Sequence, residues 1–406
     1  MISTNVRRDD LGINLEVLYR ETAKESKREK RISINSVVLG LFLCISMITK
    51  LITTVIVFDN NIVVLVGILL LVSFFTNFRF NISKKFLWVL FGIAIWFSSS
   101  MVLSVFNVTA VSYTWNYFLN FLFYGVSGML LCSVPLDYEK VLKTISYVLI
   151  PYTAYLVIVH IPQIIAVGYL TEAMDISYTL LIGICAVFLI WKKLSKVAKY
   201  FYAILLSIGI YYIFFLSSCR GAVLALGVFI LILYMSKKEY NFFRMFSICV
   251  IVAFVIFSWD TIFEALYRWF PDAGWIRRII HSQDITSGRD EIFVKAIDLI
   301  INNFLFGIGI GGFESYMDGS YTHNIFLQLF CELGVPLGII VSAILLLWII
   351  QSILCKEKGR EHEFLVFLIC QFIPRLLLSS IHWMNSFIWI FVFLKISQKR
   401  GEKTEH

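Results

Sequence analysis

The sequence predicts an all-α polytopic membrane protein with about twelve transmembrane helices and one large extracytoplasmic helical loop. Three observations predict it. Of 406 residues, 59% are hydrophobic and only 15% charged, with a mean hydropathy of +0.83, a balance outside the range of soluble domains of this size. Apolar runs of bilayer-spanning length recur along the whole chain, and a backbone in hydrocarbon must satisfy its own hydrogen bonds, which makes such runs helical. Lys and Arg gather in alternate short loops, the pattern that marks cytoplasmic connections.

Residues 1–34 form a charged cytoplasmic tail, in which Leu11, Leu15 and Leu18 recur at near-helical spacing among Arg7, Arg8, Arg20, Lys24, Lys27, Arg28, Lys30 and Arg31. It reads as a surface helix. It has no apolar core of its own, so the first span is expected to act as the insertion signal. Spans are expected at roughly 36–57, 62–77, 86–105, 116–133, 144–161, 175–191, 200–217, 221–236, 245–259, 334–354, 363–381 and 384–397. The basic residues of alternate loops (Arg79, Lys84 and Lys85; Lys140 and Lys143; Lys192, Lys193, Lys196 and Lys199; Lys237, Lys238 and Arg244; Lys356, Lys358 and Arg360; Lys399 and Arg400) fall on one side. The opposite connections near 59–61, 107–115 and 161–175 contain none, which puts both termini in the cytoplasm and the insertion 260–321 outside. Residues 35–398 thus read as one membrane domain, and 399–406 as a second cytoplasmic tail. The net charge of +8 then reports orientation, and nucleic acid is not an expected partner. Cysteines at 44, 132, 185, 219, 249, 331, 355 and 370 show neither CxxC nor metal-ligand spacing and read as small apolar filler, so no metal is expected.

The long polar stretch from Asp260 to Glu332 holds the residues suited to chemistry. Ser287-Gly288-Arg289-Asp290 reads as a helix start, with Ser287 as cap, Asp290 as the acid of a capping box, and Phe293, Ala296, Ile297 and Ile300 as the apolar stripe. Arg289 therefore sits where free N–H groups, the helix dipole and a guanidinium favour phosphate. The loop carries nine acidic residues against five basic ones, so it is no general polybasic patch, and Arg277 and Arg278 rank behind Arg289. Arg220, in Leu216-Ser217-Ser218-Cys219-Arg220-Gly221-Ala222, is either a snorkelling cation or a phosphate clamp beside an open turn made by Ser217, Ser218 and Gly221. Lys50 and Arg375 are further intramembrane cations, lining a cavity or snorkelling.

Gly307-Ile308-Gly309-Ile310-Gly311-Gly312 lacks the βαβ setting of a dinucleotide loop and reads instead as a bend of the backbone beneath a substrate. Glu314 and Asp318 offer an alternative acid/base pair of glycosidase type. Thr322 is expected to cap a helix starting at His323-Asn324, with Asn324, Gln328 and Glu332 in line at spacing four. His323 is the natural general base near neutral pH, or else an interfacial helix-capping histidine.

These pieces, in this order, resemble the O-antigen ligase and O-antigen polymerase superfamily of bacterial membrane glycosyltransferases. The resemblance rests on Ser218-Cys219-Arg220-Gly221 at a span boundary, the external loop, Ser287-Gly288-Arg289, Gly307-Ile308-Gly309, His323-Asn324, Leu327-Gln328 and Glu332-Leu333-Gly334. Cys219 stands where the family often has Ser next to Arg, and Phe293 where Trp is common. The resemblance implies a GT-C-like membrane enzyme of the bacterial cytoplasmic membrane. It would transfer glycan from undecaprenyl diphosphate to an acceptor sugar hydroxyl at the outer face, with inversion and with neither metal nor other cofactor. Arg220 and Arg289 would hold the diphosphate and His323 would take the hydroxyl proton. Ser218, Gly221, Arg277, Arg278, Gly309, Asn324 and Arg375 would line the substrate. Expected partners are the lipid-linked donor, an acceptor glycan, membrane lipids, a flippase and a chain-length regulator. A polymerase for O-antigen, capsule or exopolysaccharide is the first reading. The alternatives are a ligase acting on lipid A core and, from another class, a flippase or exporter of lipid-linked glycan.

Overall fold

The computed structural model describes residues 15–54, 61–77, 80, 82, 84–104, 107–167, 172–217, 219–235, 259–271, 276, 289–355 and 359–397. All regular structure among them is helical. Helix α1 (Leu15–Leu43) runs unbroken from the charged tail into the bundle, where the sequence suggested two separate helices. The polar residues at the expected break make contacts that let the helix continue. Ser36 donates to the Ile32 carbonyl at 2.7 Å, and Asn35 donates across to Asn77 at 3.2 Å. The chain turns instead at Cys44, where α2 (Ile45–Thr53) leaves at 67°.

There follow α3 (Asn61–Asn77), α4 (Lys84–Leu103), α5 (Val108–Asn120), α6 (Ser127–Cys132), α7 (Tyr138–Tyr155), α8 (Ile161–Val167), α9 (Ala173–Ile190), α10 (Lys196–Tyr211) and α11 (Arg220–Met235). Three π-helical segments, Phe121–Val126, Leu156–His160 and Tyr212–Leu216, extend α5, α7 and α10. The last two meet where His160 Nε2 and the Tyr212 hydroxyl lie 2.8 Å apart. The C-terminal part holds α12 (Trp259–Trp269), α13 (Arg289–Asn302), α14 (Gly312–Tyr316), α15 (Ile325–Leu354), α16 (Arg360–Leu378) and α17 (Ser386–Ser397).

Helix α9 is enclosed on nearly every side, packed by α7, α16 and α11, and Gly183 lets Leu149 of α7 come into contact with its backbone. Apolar side chains also cover the perimeter: Trp88, Val102 and Ile158 are 71%, 72% and 72% exposed, which fits a surface solvated by lipid. Among the described residues five helices are long and apolar enough to cross a membrane, six if α1 and α2 form one broken span. The chain is a polytopic membrane protein. The larger number expected from the sequence also counts shorter apolar helices such as 62–77, 220–235 and 386–397, and one span, 245–259, lies almost wholly outside the described residues.

The two ends of the bundle differ. At one end Glu139 pairs with Lys143 at 2.8 Å, Lys193 at 2.9 Å and Arg360 at 3.5 Å, gathering basic residues of three separate loops. Tyr178 lies near the opposite end of α9, about 22 Å from Lys193 at the helical rise. That second end holds the candidate site.

Candidate active site

Helix α16 ends at Leu378, and the last carbonyls of any helix have no partner within it. Here they are met from the 321–323 loop. The Tyr321 hydroxyl donates to the Ser379 carbonyl at 2.6 Å, and the Leu378 carbonyl lies beside the His323 ring, favouring its protonated form. The Ser379 hydroxyl meets that of Tyr178, on α9, at 2.7 Å. Arg375, one turn back on α16, sits over the Tyr178 ring at 5.0 Å from its centroid, a cation–π contact. Gly221, the second residue of α11, lies against the same Tyr178 hydroxyl so closely that a Cβ there would fall on it. Helices α9, α11 and α16 and the loop before α15 thus converge on one small polar cluster.

Arg289 belongs to it as well. It is the first described residue of α13, is half-buried, and its charge acts on Tyr178, Tyr321 and His323. Burial and the Arg289 charge both push the His323 imidazole down, to about 4, and the Leu378 carbonyl opposes them. Burial pushes the Tyr321 phenol up to about 12, with Arg289 opposing. His323 is therefore neutral at physiological pH, tilted against the Tyr321 ring at 4.2 Å between centroids, with Nδ1 buried and without a hydrogen-bond partner among the described residues. Its backbone has φ of +53°, a left-handed conformation that costs a non-glycine residue about 1–3 kcal/mol and persists where the surroundings impose it.

Of the other expected site residues, some reach this cluster and some do not. Arg220 opens α11 next to Gly221, which brings its backbone to the cluster. Gly309, with φ of +76°, packs against Ser100 of α4, whose hydroxyl accepts from Ile310 N at 2.9 Å. Asn324, and not Thr322, caps α15: its Oδ1 accepts from Phe326 N at 2.9 Å and Leu327 N at 3.3 Å, and the helix begins at Ile325. Lys50 pairs with Glu172 at 2.5 Å. Glu314 is fully buried while Asp318 is exposed, so the two carboxylates do not face a shared opening. Ser218, Arg277, Arg278 and the cap Ser287 lie outside the described residues. In α13, Ala296 and Leu299 are buried while Ile297 of the expected stripe is half exposed. Cys219 packs near Tyr178 and Cys331 against Ala296, in different clusters, and neither forms a disulfide among the described residues.

Residues that sequence reasoning missed are Tyr178, Ser379 and Tyr321. Tyr321 stands two positions before His323, but nothing in the sequence around 178 or 379 marks either as part of a site.

A bundle of apolar helices carrying cations, a neutral histidine and three hydroxyl-bearing residues at one end defines a membrane protein with a polar site beside lipid. Residues 203–342, from α10 through the first half of α15, match the family model described as O-antigen ligase. The matched segment contains Arg220, Arg289 and His323, and it bears out the resemblance to the O-antigen ligase and polymerase superfamily. A ligase- or polymerase-type, glycosyltransferase-like activity follows at that level. No curated protein matches the chain.

Proposed function

We propose that the chain is a polysaccharide polymerase that transfers glycan from undecaprenyl diphosphate to an acceptor sugar hydroxyl at the outer face of the bacterial cytoplasmic membrane. The observation that carries this reading is the meeting of Arg289, a neutral His323 and the Arg375–Tyr178–Ser379 group at one end of the bundle. The opposite end collects the basic loop residues around Glu139, which favours placing that end in the cytoplasm.

In the proposed reaction the acceptor hydroxyl oxygen attacks the anomeric carbon, and the bond from that carbon to the diphosphate oxygen breaks. The hydroxyl proton passes to His323, and undecaprenyl diphosphate leaves with the bonding electron pair. Arg289 and Arg220 stabilise the charge that grows on the leaving group. The diphosphate has a second effect. In its absence Arg289 depresses the His323 pKa; a bound anion offsets the Arg289 charge and makes His323 a stronger base when substrate is in place. Binding and base strength are thereby linked.

The test uses purified protein in lipid nanodiscs, supplied with defined lipid-linked repeat units with and without lipid A core acceptor. Ladders of increasing length support the polymerase, and single adducts on core identify a ligase. Transfer by His323→Ala at the wild-type rate would reject the proposed base.

A further inference from the structure

Beneath the 321–323 loop lies a buried polar group that the reaction above does not use. Gln328, on the first full turn of α15, is 2% exposed, and its amide donates to both Glu314 Oε1 at 3.1 Å and Glu332 Oε1 at 2.8 Å. Its carbonyl oxygen accepts from the Thr322 backbone N–H at 3.3 Å and the Thr322 hydroxyl at 3.0 Å. All four bonding positions of the side chain are thus used. The orientation is fixed as well: turned over, the amide would set its oxygen against two carboxyl oxygens and its N–H groups against the Thr322 N–H.

The carboxyl groups are themselves anchored. Tyr117, at the end of α5, donates to Glu314 Oε1 at 3.1 Å. Trp383 Nε1 lies 3.2 Å and 3.3 Å from the two Glu332 oxygens, and His382 Nε2 lies 3.7 Å from Oε2. Burial pushes His382 down to about 3, so that last contact joins a neutral ring to a carboxyl group and is no ion pair. Burial likewise pushes Glu314 up to about 7, with the Tyr117 and Gln328 hydrogen bonds opposing. The group therefore ties α5, α14, α15 and the 382–384 turn into one rigid unit.

We infer that Gln328 is a positioning residue, which holds His323 in its left-handed backbone conformation by fastening Thr322 to this buried carboxyl pair. This rests on the reading of His323 as the base. The residue on its other side is equally fixed, since Asn324 caps α15 and its N–H points to the Thr322 hydroxyl at 3.4 Å. With both neighbours pinned, the strained φ of +53° at His323 is imposed from outside. An amide suits the position because it can donate twice toward carboxyl oxygens while accepting twice from Thr322, which neither a carboxylate nor an apolar side chain can do.

The experiment measures kcat and KM for the lipid-linked donor with the full chain in nanodiscs, for wild type, His323→Ala, Thr322→Val, Gln328→Leu and Gln328→Glu. Thr322→Val keeps Gln328 and the Thr322 backbone N–H in place and removes the hydroxyl's contacts with Gln328 Oε1 and with the Asn324 backbone, so it remains informative if Gln328→Leu fails to fold. The inference expects Thr322→Val and Gln328→Leu to lower kcat by about 10–100-fold with KM within about twofold, as a displaced base does. It also expects Gln328→Glu, which fits only when protonated among Glu314, Glu332 and His382, to recover activity on acidification from about pH 8 to about pH 6. Wild-type kcat in Thr322→Val, or a wild-type pH profile in Gln328→Glu, would overturn it. The control separates the two claims: an active His323→Ala rejects the base itself, whereas an inactive one with unaltered Thr322→Val rejects only the role of Gln328.

Discussion

The Tyr321 hydroxyl closes the C-terminal end of α16 by donating to the Ser379 carbonyl at 2.6 Å, across 58 positions of sequence. That bond joins the loop carrying His323 to the helix carrying Arg375, beside the Leu378 carbonyl that faces the His323 ring. It also answers a general need, since a half-buried carbonyl at a helix end otherwise lacks a partner.

Tyr321→Phe keeps the ring against His323 and deletes this bond. The expected cost is about 1 kcal/mol of stability, the usual worth of one such bond, together with a several-fold loss of transfer as the loop loosens. Thermal unfolding in detergent and donor turnover measure the two effects. Unchanged turnover would show that the loop is held without Tyr321.

Gly221→Ala places a methyl group on the Tyr178 hydroxyl, at the end of a rigid ring that cannot simply bend aside. Tyr178 must then give up its bond to Ser379, or α11 must move away from α9. A destabilisation of about 1–3 kcal/mol is expected, as for overpacking in a filled core, with loss of transfer. Pairing it with Tyr178→Phe, which removes the obstructing oxygen, should return part of the stability.

Acid dependence should betray the low His323 pKa. In the folded protein the imidazole titrates near 4, against 6.5 ordinarily. A base depressed on folding adds stability that is complete above pH 6.5 and is lost as pH falls from 6.5 to 4. The acid limb of kcat/KM, which reports the free enzyme, should accordingly lie near pH 4. Arg289→Gln removes one of the depressing influences, so the limb should move upward toward 6.5 while donor binding weakens.

Glu314 produces the opposite slope. Its carboxyl is raised from 4.5 to about 7, so the folded chain keeps a proton that the unfolded chain releases. The stabilisation is complete below pH 4.5 and is lost as pH rises to 7. Glu314→Gln, which cannot ionise, should flatten the fall in thermal midpoint across this window. An unchanged slope would locate the titrating group elsewhere.

Much of this molecule is legible in its residues alone. Composition and apolar run length determined a helical membrane protein, because hydrocarbon leaves the backbone no other way to satisfy itself along an isolated span. Local chemistry likewise marked Arg289, His323 and the Asn324-Gln328-Glu332 line as polar groups with work to do near a span's end. Helix boundaries were less legible: α1 continues through Ser36 because Asn35 pairs with Asn77 and Ser36 accepts from the Asp137 N–H, partners that only packing supplies. The same reason hid the rest of the site. Tyr178 and Ser379 are ordinary in their own neighbourhoods; they meet each other, and the Gly221 and Arg375 that the sequence had already marked, only because α9, α11 and α16 pack together. Whether a glycine run lines a substrate or packs on a helix is decided in the same way, and Gly309 lies on Ser100. Periodicity assigns a residue to a face, but which face it meets is settled by close packing between elements distant in the chain, and tertiary structure alone fixes that.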